Sequence, residues 1–472
     1  MTISASRSQL IWSPVLGWVL LACGMSTAQA QLTVSTPVGT YGSSTPDGLF
    51  GTSKPAAPGA GMPASGVPET TTLPPIETGI VSVEGDELGY AVGSFRLFPA
   101  ITISAGYDTN VYAQSIATAG PTGLTSSLYT IVAPVIDLRS EWLNHALHFL
   151  AGGTVGYYQS APTQNYQNFT FAVDGKRDIY TDVYMTGALA YKQNTEALGT
   201  PNVAFAQAPT VVDSVPVEVS YYQRFNRFFY QPTLRATRFW YHDFSVITTS
   251  GLPAASRDRT EYEETLKIGY EVYDDLAFYI SPAMNQRRYV EQVNAVGQSR
   301  DANGQTIGVG FTWSPNATSV LDGFIGYQTQ NDLTSGLPPT SSYTFGLTGT
   351  WNGYAPLVLR PVINRSIQET ALSNYQNFIS TVVGVDFTYQ VHDAWKATGG
   401  LSYTNADYTP YPNLAGPRTD TFITGRLGFL YSLRPQVEIG PSWEYSSGSS
   451  TDTVAGPSFT RQIFSIRLVA KR

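Results

Sequence analysis

The chain has 472 residues, of which only 13% are charged, while another 13% are aromatic, with 30 Tyr and 43 Gly. This balance is unusual for a soluble enzyme and typical of β-strands that face lipid on one side and water on the other. The formal net charge is −8 and the sequence contains no basic stripe, which argues against a nucleic-acid partner.

Residues 1–30 are predicted to be a secretory signal peptide. Arg7 supplies a short basic start, residues 15–21 form an apolar core, and small residues at 28–30 provide a cleavage site. The alternative is a lipoprotein signal, in which Cys23, the single cysteine of the chain, carries the lipid. Beyond the signal, no stretch approaches the ~20 apolar residues of a transmembrane helix. A mature chain without cysteine has no disulfide, thiolate metal site or cysteine nucleophile.

Residues 31–90 follow as a periplasmic segment rich in Pro, Gly, Ser and Thr. Such a composition buries too little apolar surface to offset the entropy lost on ordering, so we expect the segment to be mostly disordered. The alternative is a docking segment for a periplasmic export partner or for peptidoglycan.

Residues 91–472 are predicted to form the folded domain, because strands of roughly ten residues with period-two alternation begin near Leu97. One face of each strand is apolar and ends in Tyr or Trp, whereas the other is rich in Gly, Ser and charge. This pattern predicts an apolar outside with aromatic rims and a hydrated inside. The stretches 262–271 and 437–445 alternate in the same way as 306–313. In that last stretch, Ile307, Val309, Phe311 and Trp313 alternate with Thr306, Gly308, Gly310 and Thr312.

Connection lengths predict the strand number. Eight tight turns alternate with nine long loops, giving an all-β, antiparallel transmembrane β-barrel of about 18 strands (16 to 20) with both termini in the periplasm. The chain ends in Lys471 and Arg472, whereas the barrel-assembly machinery usually reads an aromatic end, and this departure puts the route of insertion in question. The tight turns are predicted at 141–144, 178–181, 224–227, 273–275, 314–316, 351–354, 390–393 and 433–435. Long loops include 109–126, 194–212, 244–259, 290–303, 330–341 and 446–458.

The first predicted strand also carries a family resemblance. Residues 93–112 end in an element formed by Gly106, Tyr107, Asp108 and Asn110, and this region resembles the opening of the second family of outer-membrane β-barrel porins. The segments 138–147 and 190–196 are similar too. The resemblance implies a barrel in a Gram-negative outer membrane. Because such porins are often associated with exopolysaccharide gene clusters, it also implies a part in polysaccharide export.

Four histidines limit the enzyme hypothesis. His145 and His148 are three apart on a strand, so they lie on opposite faces and do not form a metal pair. His242 is near the outer rim, where a barrel hydrolase would place its catalytic site. The sequence, however, has no serine spaced from His242 in a way that indicates a catalytic triad. His392 is read as a turn residue. No catalytic, metal or cofactor site is therefore predicted.

Charged residues on the predicted water face are the candidate lumen lining. They would tune which solutes enter, or alternatively brace the wall by cross-strand pairing. Asp108 and Asn110 could bind a cation or a sugar, although an Asx turn explains them more simply. Tyr279 is a candidate for stacking on sugar rings. The seven lumen-lining candidates are Glu263, Lys267, Glu271, Arg360, Lys396, Arg426 and Arg467.

The leading hypothesis is a non-enzymatic, porin-like channel or polysaccharide-export component of the bacterial outer membrane. Its expected partners are outer-membrane lipid, the barrel-assembly machinery, small solutes or polysaccharide, and periplasmic export proteins. The first alternative is a non-conducting structural or adhesion barrel, and the second is a hydrolase at the outer rim.

Overall fold

The computed structural model describes residues 89–119, 123–196, 198–201, 209–242, 257–291, 299–333, 336–354, 356–372, 374–453 and 456–472. The predicted signal peptide and nearly all of the Pro-rich segment lie outside these residues. Within them, 19 strands form one antiparallel sheet, and 18 of these strands close into a ring. The predicted 18-stranded antiparallel barrel is therefore confirmed. No helix of the described residues is long and apolar enough to span a membrane.

A short strand, β1, precedes the barrel and pairs with its first strand, β2. Short helical turns lie at Ile116–Ala119 and Pro162–Gln164. The strands are β1 (Tyr90–Val92), β2 (Phe95–Asp108), β3 (Ser127–Ser140), β4 (His145–Tyr158), β5 (Tyr166–Tyr180), β6 (Val183–Glu196), β7 (Thr210–Phe225), β8 (Phe228–His242), β9 (Arg259–Tyr273), β10 (Leu276–Tyr289), β11 (Ala302–Asn316), β12 (Ser319–Asp332), β13 (Thr340–Tyr354), β14 (Leu357–Gln368), β15 (Tyr375–His392), β16 (Trp395–Pro410), β17 (Arg418–Arg434), β18 (Val437–Ser450) and β19 (Phe459–Lys471).

Short turns lie at one end of the barrel and long connections at the other. We call these the short-turn end, which includes residues 226–227, and the long-loop end, which includes residues 109–126. Each predicted tight turn overlaps or adjoins an observed one. The barrel strands are longer than expected, at 12 to 18 residues. The excess lies mainly at the long-loop end, where polar stretches such as 446–450 of β18 keep their ladder hydrogen bonds without an apolar face to signal a strand.

The two faces of each strand differ as the alternation predicts. On β11, Ile307 is 66% exposed and Val309 is also exposed, whereas Thr306 and Thr312, on the opposite face of the strand, are buried. Similar apolar positions, including Leu401 and Ile466, make the outer surface a continuous exposed apolar band. Exposed apolar surface of this extent on a closed sheet is suited to lipid and unsuited to water.

Aromatic pairs mark both edges of this band. Trp395 and Tyr431 lie 4.8 Å apart between ring centroids near the short-turn end. Tyr327 and Tyr343 lie 5.6 Å apart in an edge-to-face arrangement toward the long-loop end. Such rings place an apolar body in lipid and a polar tip at the headgroups, as expected for the two interfaces of a membrane barrel.

The barrel closes where β2 pairs with β19, from Asp108 opposite Ile463 to Ala100 opposite Lys471. Arg461 donates to both carboxylate oxygens of Asp108, with Nε 3.1 and 3.0 Å away, and both side chains are fully buried. Gly106 is required in the same seam, because a Cβ there would lie 2.2 Å from the carbonyl oxygen of Phe464.

Asn110 continues the seam into the first long connection. Its backbone N–H donates to Asp108 Oδ1 at 3.0 Å, which is the Asx turn that the sequence favoured. Its Nδ2 donates to the carbonyl oxygens of Gln114 and Thr460, at 2.8 and 2.9 Å. The family-like element Gly106 to Asn110 therefore joins the first and last strands of the barrel.

The basic C-terminus also has structural partners. Lys471 Nζ lies 3.2 Å from Glu438 Oε1 on β18, and the backbone N–H of Arg472 donates to the carbonyl oxygen of Pro99 at 3.1 Å. The Arg472 guanidinium lies 4.4 Å from the ring centroid of Tyr90 on β1. The two basic residues thus hold the end of β19 to β18, β2 and β1.

Replacing Arg461 with Gln should lower the free energy of unfolding by about 3–5 kcal/mol, because the buried Asp108 carboxylate loses its partner. Arg96→Gln is the matched control: it breaks an exposed ion pair with Glu141, 2.6 Å long, and should cost about 0–1 kcal/mol. Urea unfolding of the barrel refolded into phospholipid vesicles, followed by tryptophan fluorescence, measures both losses. Equal losses in the two variants would contradict the importance of the buried pair.

Candidate functional site in the barrel lumen

The seven predicted lumen residues all lie on the inner face of their strands. Lys267 and Arg467 are buried there, and Glu263 and Glu271 share the face of Lys267 on β9. Their effect on solute passage remains a prediction. Their contacts show how the wall accommodates charge.

Several of these residues form ion pairs between strands. Lys396 Nζ lies 3.1 Å from Glu438 Oε1, and Glu271 Oε2 lies 3.0 Å from Arg224 Nη1. Such pairs offset part of the cost of removing each charge from bulk water. The bracing interpretation of these residues therefore has direct geometric support.

A row of inner-face charges crosses five adjacent strands, β14 to β18. Arg360 is opposite Asp386, and Arg426 is opposite Glu444, with Gly400 between the two pairs. Arg426 Nη2 reaches over Gly400 to Asp386 Oδ1 at 2.8 Å. A Cβ at position 400 would lie 2.0 Å from that same oxygen, so glycine is what permits this bond. The alternating signs favour pairing along the wall over a field of one sign.

A second inner-face group surrounds Asp322 on β12. Tyr279 Oη donates to its carboxylate at 2.7 Å, Thr312 Oγ1 at 2.9 Å and Lys267 Nζ at 3.3 Å. Lys267 Nζ also lies 4.4 Å from the ring centroid of Tyr279, and this ring covers Gly310 of β11. Tyr279 is buried in these contacts, which leaves its ring little free surface for stacking on a sugar, and that role remains a prediction.

The end of β14 separates from β13 and turns into the lumen while it stays paired with β15. Pairing between β13 and β14 stops at Phe345 opposite Arg365, whereas pairing between β14 and β15 continues to Gln368. Beyond Arg365, the Ile367 N–H donates to Gln328 Oε1 on β12, and its carbonyl oxygen accepts from Arg287 Nη2 on β10. These bonds are 2.9 and 3.0 Å long.

Gln328 and Arg287 belong to inner faces two and four strands from β14, so residues 366–370 pass across the inside of the wall. We call residues 366–370 the lumen segment. Its five residues are all buried, and Ile367 is completely so. Side chains thus replace the ladder bonds that β13 would have supplied.

The side chain of Glu369, in the lumen segment, lies among three arginines. Its Oε1 lies 2.7 Å from Arg257 Nη2 and 3.3 Å from Arg259 Nη1. Arg257 also binds Glu196, the last residue of β6, through two bonds of 2.8 and 3.1 Å. Strands β6 and β14 are eight apart in the ring of 18, so Arg257 links distant parts of the wall across the lumen. We call this group the arginine cluster: Arg257, Arg259, Arg300, Glu196 and Glu369.

The arginine cluster keeps Glu369 ionised. Burial raises the pKa of this carboxyl, but the neighbouring guanidiniums of Arg257, Arg259 and Arg300 outweigh burial and hold the pKa well below its usual value. The Arg257 guanidinium also lies 4.0 Å from the ring centroid of Tyr241. Charge and aromatic contact together fix the lumen segment at neutral pH.

The histidines occupy separate places, as their spacing predicts. His148 faces inward between two carboxylates. Its Nδ1 lies 2.5 Å from Asp174 Oδ1, and its Nε2 lies 3.1 Å from Asp137 Oδ1. His145 is exposed on the other face, and His392 lies beside the predicted turn. Among the described residues, no group of three or more His, Cys, Asp or Glu side chains is arranged to hold a metal ion.

His242 lies on the outer face of β8 at the long-loop end. Its Nε2 is 2.7 Å from Asp213 Oδ2, and Asp213 Oδ1 also accepts a bond of 3.2 Å from Gln193 Nε2. Within the described ranges no serine bonds to His242. The pair therefore faces away from the lumen and lacks a nucleophile in the part of the chain that the structure describes.

Sequence reasoning missed the lumen segment, the arginine cluster and Asp322. The contacts of Arg257 with Glu196 and Glu369 join residues 61 and 112 positions apart, which no local pattern reveals. One signal was present: residues 366–370 are polar apart from Ile367, although the outward positions from Leu357 to Ile363 earlier in β14 are apolar.

No curated protein matches the chain by sequence. Acinetobacter baumannii OccAB3 has a similar structure at 9% identity, with 80% of this chain and 99% of that chain covered and a TM-score of 0.42. Pseudomonas aeruginosa OpdO is similar at 11% identity, with 79% and 96% covered and a TM-score of 0.39.

The family model described as putative beta-barrel porin 2 matches residues 85–472. The match includes β1 to β19 and the Gly106 to Asn110 element, which confirms the resemblance seen in the sequence. Because this match spans most of the chain, the chain belongs to the putative beta-barrel porin 2 family.

Proposed function

We propose that the protein is a non-enzymatic channel of the bacterial outer membrane whose interior is narrowed by the lumen segment. Membership in a porin family and the closed barrel with its apolar outside support a passage across a membrane. The observation that carries the proposal is the binding of Ile367 to inner-face groups of β10 and β12. The lumen segment, held by these bonds, narrows the barrel interior at the height of Ile367, where it can select which solutes pass.

The proposed cargo is a small polar solute or a polysaccharide chain. Both charge signs occur along the inner wall, as with Arg360 opposite Asp386, which suits hydrogen-bonding solutes better than ions of one sign. The seven inner-face charges predicted from the sequence would line this route. The resemblance to porins associated with exopolysaccharide genes supports polysaccharide as the class.

A non-conducting anchor is the second candidate, and one observation favours it. Arg257 binds Glu196 and Glu369 at once and so ties together strands that are eight apart. A permanent tie across the lumen would strengthen the barrel as a rigid body and obstruct passage. The two candidates differ in whether the lumen segment leaves an open path.

Single-channel recording of the refolded mature chain tests the channel directly. Glu369→Gln removes one negative charge beside three arginines, so the reversal potential in a KCl gradient should move toward chloride and the conductance should rise. Glu264→Gln is the matched control, because it makes the same charge change on the outer face of β9 and should behave as the unmodified chain.

Conductance steps that polysaccharide blocks would support the export route. If neither the unmodified chain nor Glu369→Gln conducts, and both barrels are shown to be folded, the non-conducting anchor would be favoured. Identical conductance and selectivity in Glu369→Gln and Glu264→Gln would contradict a role for the lumen segment in the passage.

Thiol labelling tests the position of the lumen segment without requiring conductance. The chain beyond residue 30 has no cysteine, so a single one can be introduced. Ile367→Cys should react with an externally added maleimide much more slowly than Leu414→Cys, since Ile367 is fully buried and Leu414 is exposed in a long-loop connection. Adding Glu369→Ala should accelerate labelling at position 367. Equal rates at 367 and 414 in the parent chain would show that the segment does not lie inside.

A further inference from the structure

Two arginines lie on the outer surface of the barrel near the long-loop end. Arg238 on β8 and Arg288 on β10 are both opposite Thr260 of β9, so the three form one row. Their neighbours in sequence, Phe239 and Arg287, are buried on the inner face, which places Arg238 and Arg288 on the outer face.

The row lies at the edge of the apolar band. Outward positions of β8 are apolar from Phe228 to Ala236, and Arg238 is the next outward residue. On β10 the outward positions are apolar from Leu276 to Met284, followed by Gln286 and Arg288. Charge is far less costly at this depth than at the middle of the bilayer. Both guanidiniums therefore lie at the level of lipid headgroups.

Both guanidiniums are positioned by neutral partners. Arg238 Nη1 donates to Thr260 Oγ1 at 3.2 Å, and its guanidinium lies 5.3 Å from the ring centroid of Trp240. Arg288 Nη1 donates to the carbonyl oxygens of Arg287 and Ala302, both at 2.9 Å. Arg288 Nη2 donates to Gln286 Oε1 and Asn303 Oδ1, at 3.0 and 2.6 Å.

Neither charge is neutralised by a carboxylate among the described residues. The carboxylates near this row include Asp213, which binds His242, Asp258, which accepts from the Tyr241 N–H, and Glu264, and none of them forms an ion pair with Arg238 or Arg288. Arginines ordered by neutral groups keep their full positive charge available. In a membrane headgroup layer, the ligand of opposite charge is a phosphate, whose oxygens accept hydrogen bonds from guanidinium groups.

We propose that Arg238, Thr260 and Arg288 form a binding site for a phosphorylated lipid headgroup of the outer leaflet. The two guanidiniums flank the Thr260 hydroxyl and contact phosphate oxygens, while the acyl chains lie along the apolar outer faces of β8 and β10. The site is on the outside of the barrel, so it is independent of the proposed channel and needs no open lumen.

Lipid-dependent stability of the full mature chain, refolded in detergent micelles, tests the site. Lipid A with two phosphates should raise the urea midpoint of the unmodified chain, because a ligand that binds only the folded state stabilises it. Arg238→Gln with Arg288→Gln should weaken the apparent affinity by about tenfold or more, as expected for two lost charge-assisted contacts. Arg227→Gln with Arg434→Gln, two exposed arginines at the short-turn end, is the matched control and should bind as the unmodified chain does.

Three outcomes would overturn the proposal. Equal affinity of the Arg238/Arg288 and Arg227/Arg434 variants would remove these arginines from the site. Protection by inorganic phosphate alone, at the concentration of lipid used, would indicate a free-anion site. Equal protection by lipid A lacking its phosphates would indicate acyl-chain contact only. Arg238→Gln alone provides a second measurement, because Arg238 makes few contacts, and it should weaken binding with the barrel still folded.

Discussion

A sheet surrounded by lipid must satisfy all its backbone hydrogen bonds internally, and closure into a ring is how strands achieve this. The ring closes only where β2 meets β19, so register at this seam decides whether the other 17 pairings can exist together. Gly106 allows the close approach, and the buried pair of Asp108 with Arg461 fixes which residues are opposite each other. A one-residue slip would turn every side chain of β19 to the other face.

Closure in lipid reverses the usual distribution of polarity. Apolar side chains such as Ile307 point outward, so polar and charged groups must fill the inside and find partners there. Arg426 can reach Asp386 because Gly400 leaves the intervening strand without a side chain, and Lys267 reaches Asp322 beside Tyr279, whose ring lies over Gly310. Glycines on the inner face therefore act as gaps through which charges of non-adjacent strands meet.

The sequence predicts what depends on neighbouring positions. The alternation of apolar and polar residues revealed the two faces of 306–313, and the alternation of tight turns with long loops revealed the strand number. The predicted strands are too short, because polar strand ends such as 446–450 pair through backbone hydrogen bonds and show no alternation of apolar and polar side chains. The bonds of Arg257 to Glu196 and Glu369 were missed for a different reason. They depend on the curvature that brings β6 and β14 to face each other, which exists only once the ring has closed.

Separation from β13 costs the end of β14 its ladder bonds to that strand, and the lumen offsets that cost with side chains. Gln328 and Arg287 satisfy both backbone groups of Ile367, and the arginine cluster binds Glu369. These contacts lie outside the ladder that closes the barrel. Residues 366–368 stay paired with β15, whereas Glu369 beyond them is held by ion pairs and side-chain hydrogen bonds that the wall does not need. The barrel seam and the position of Glu369 in the lumen thus depend on separate sets of interactions.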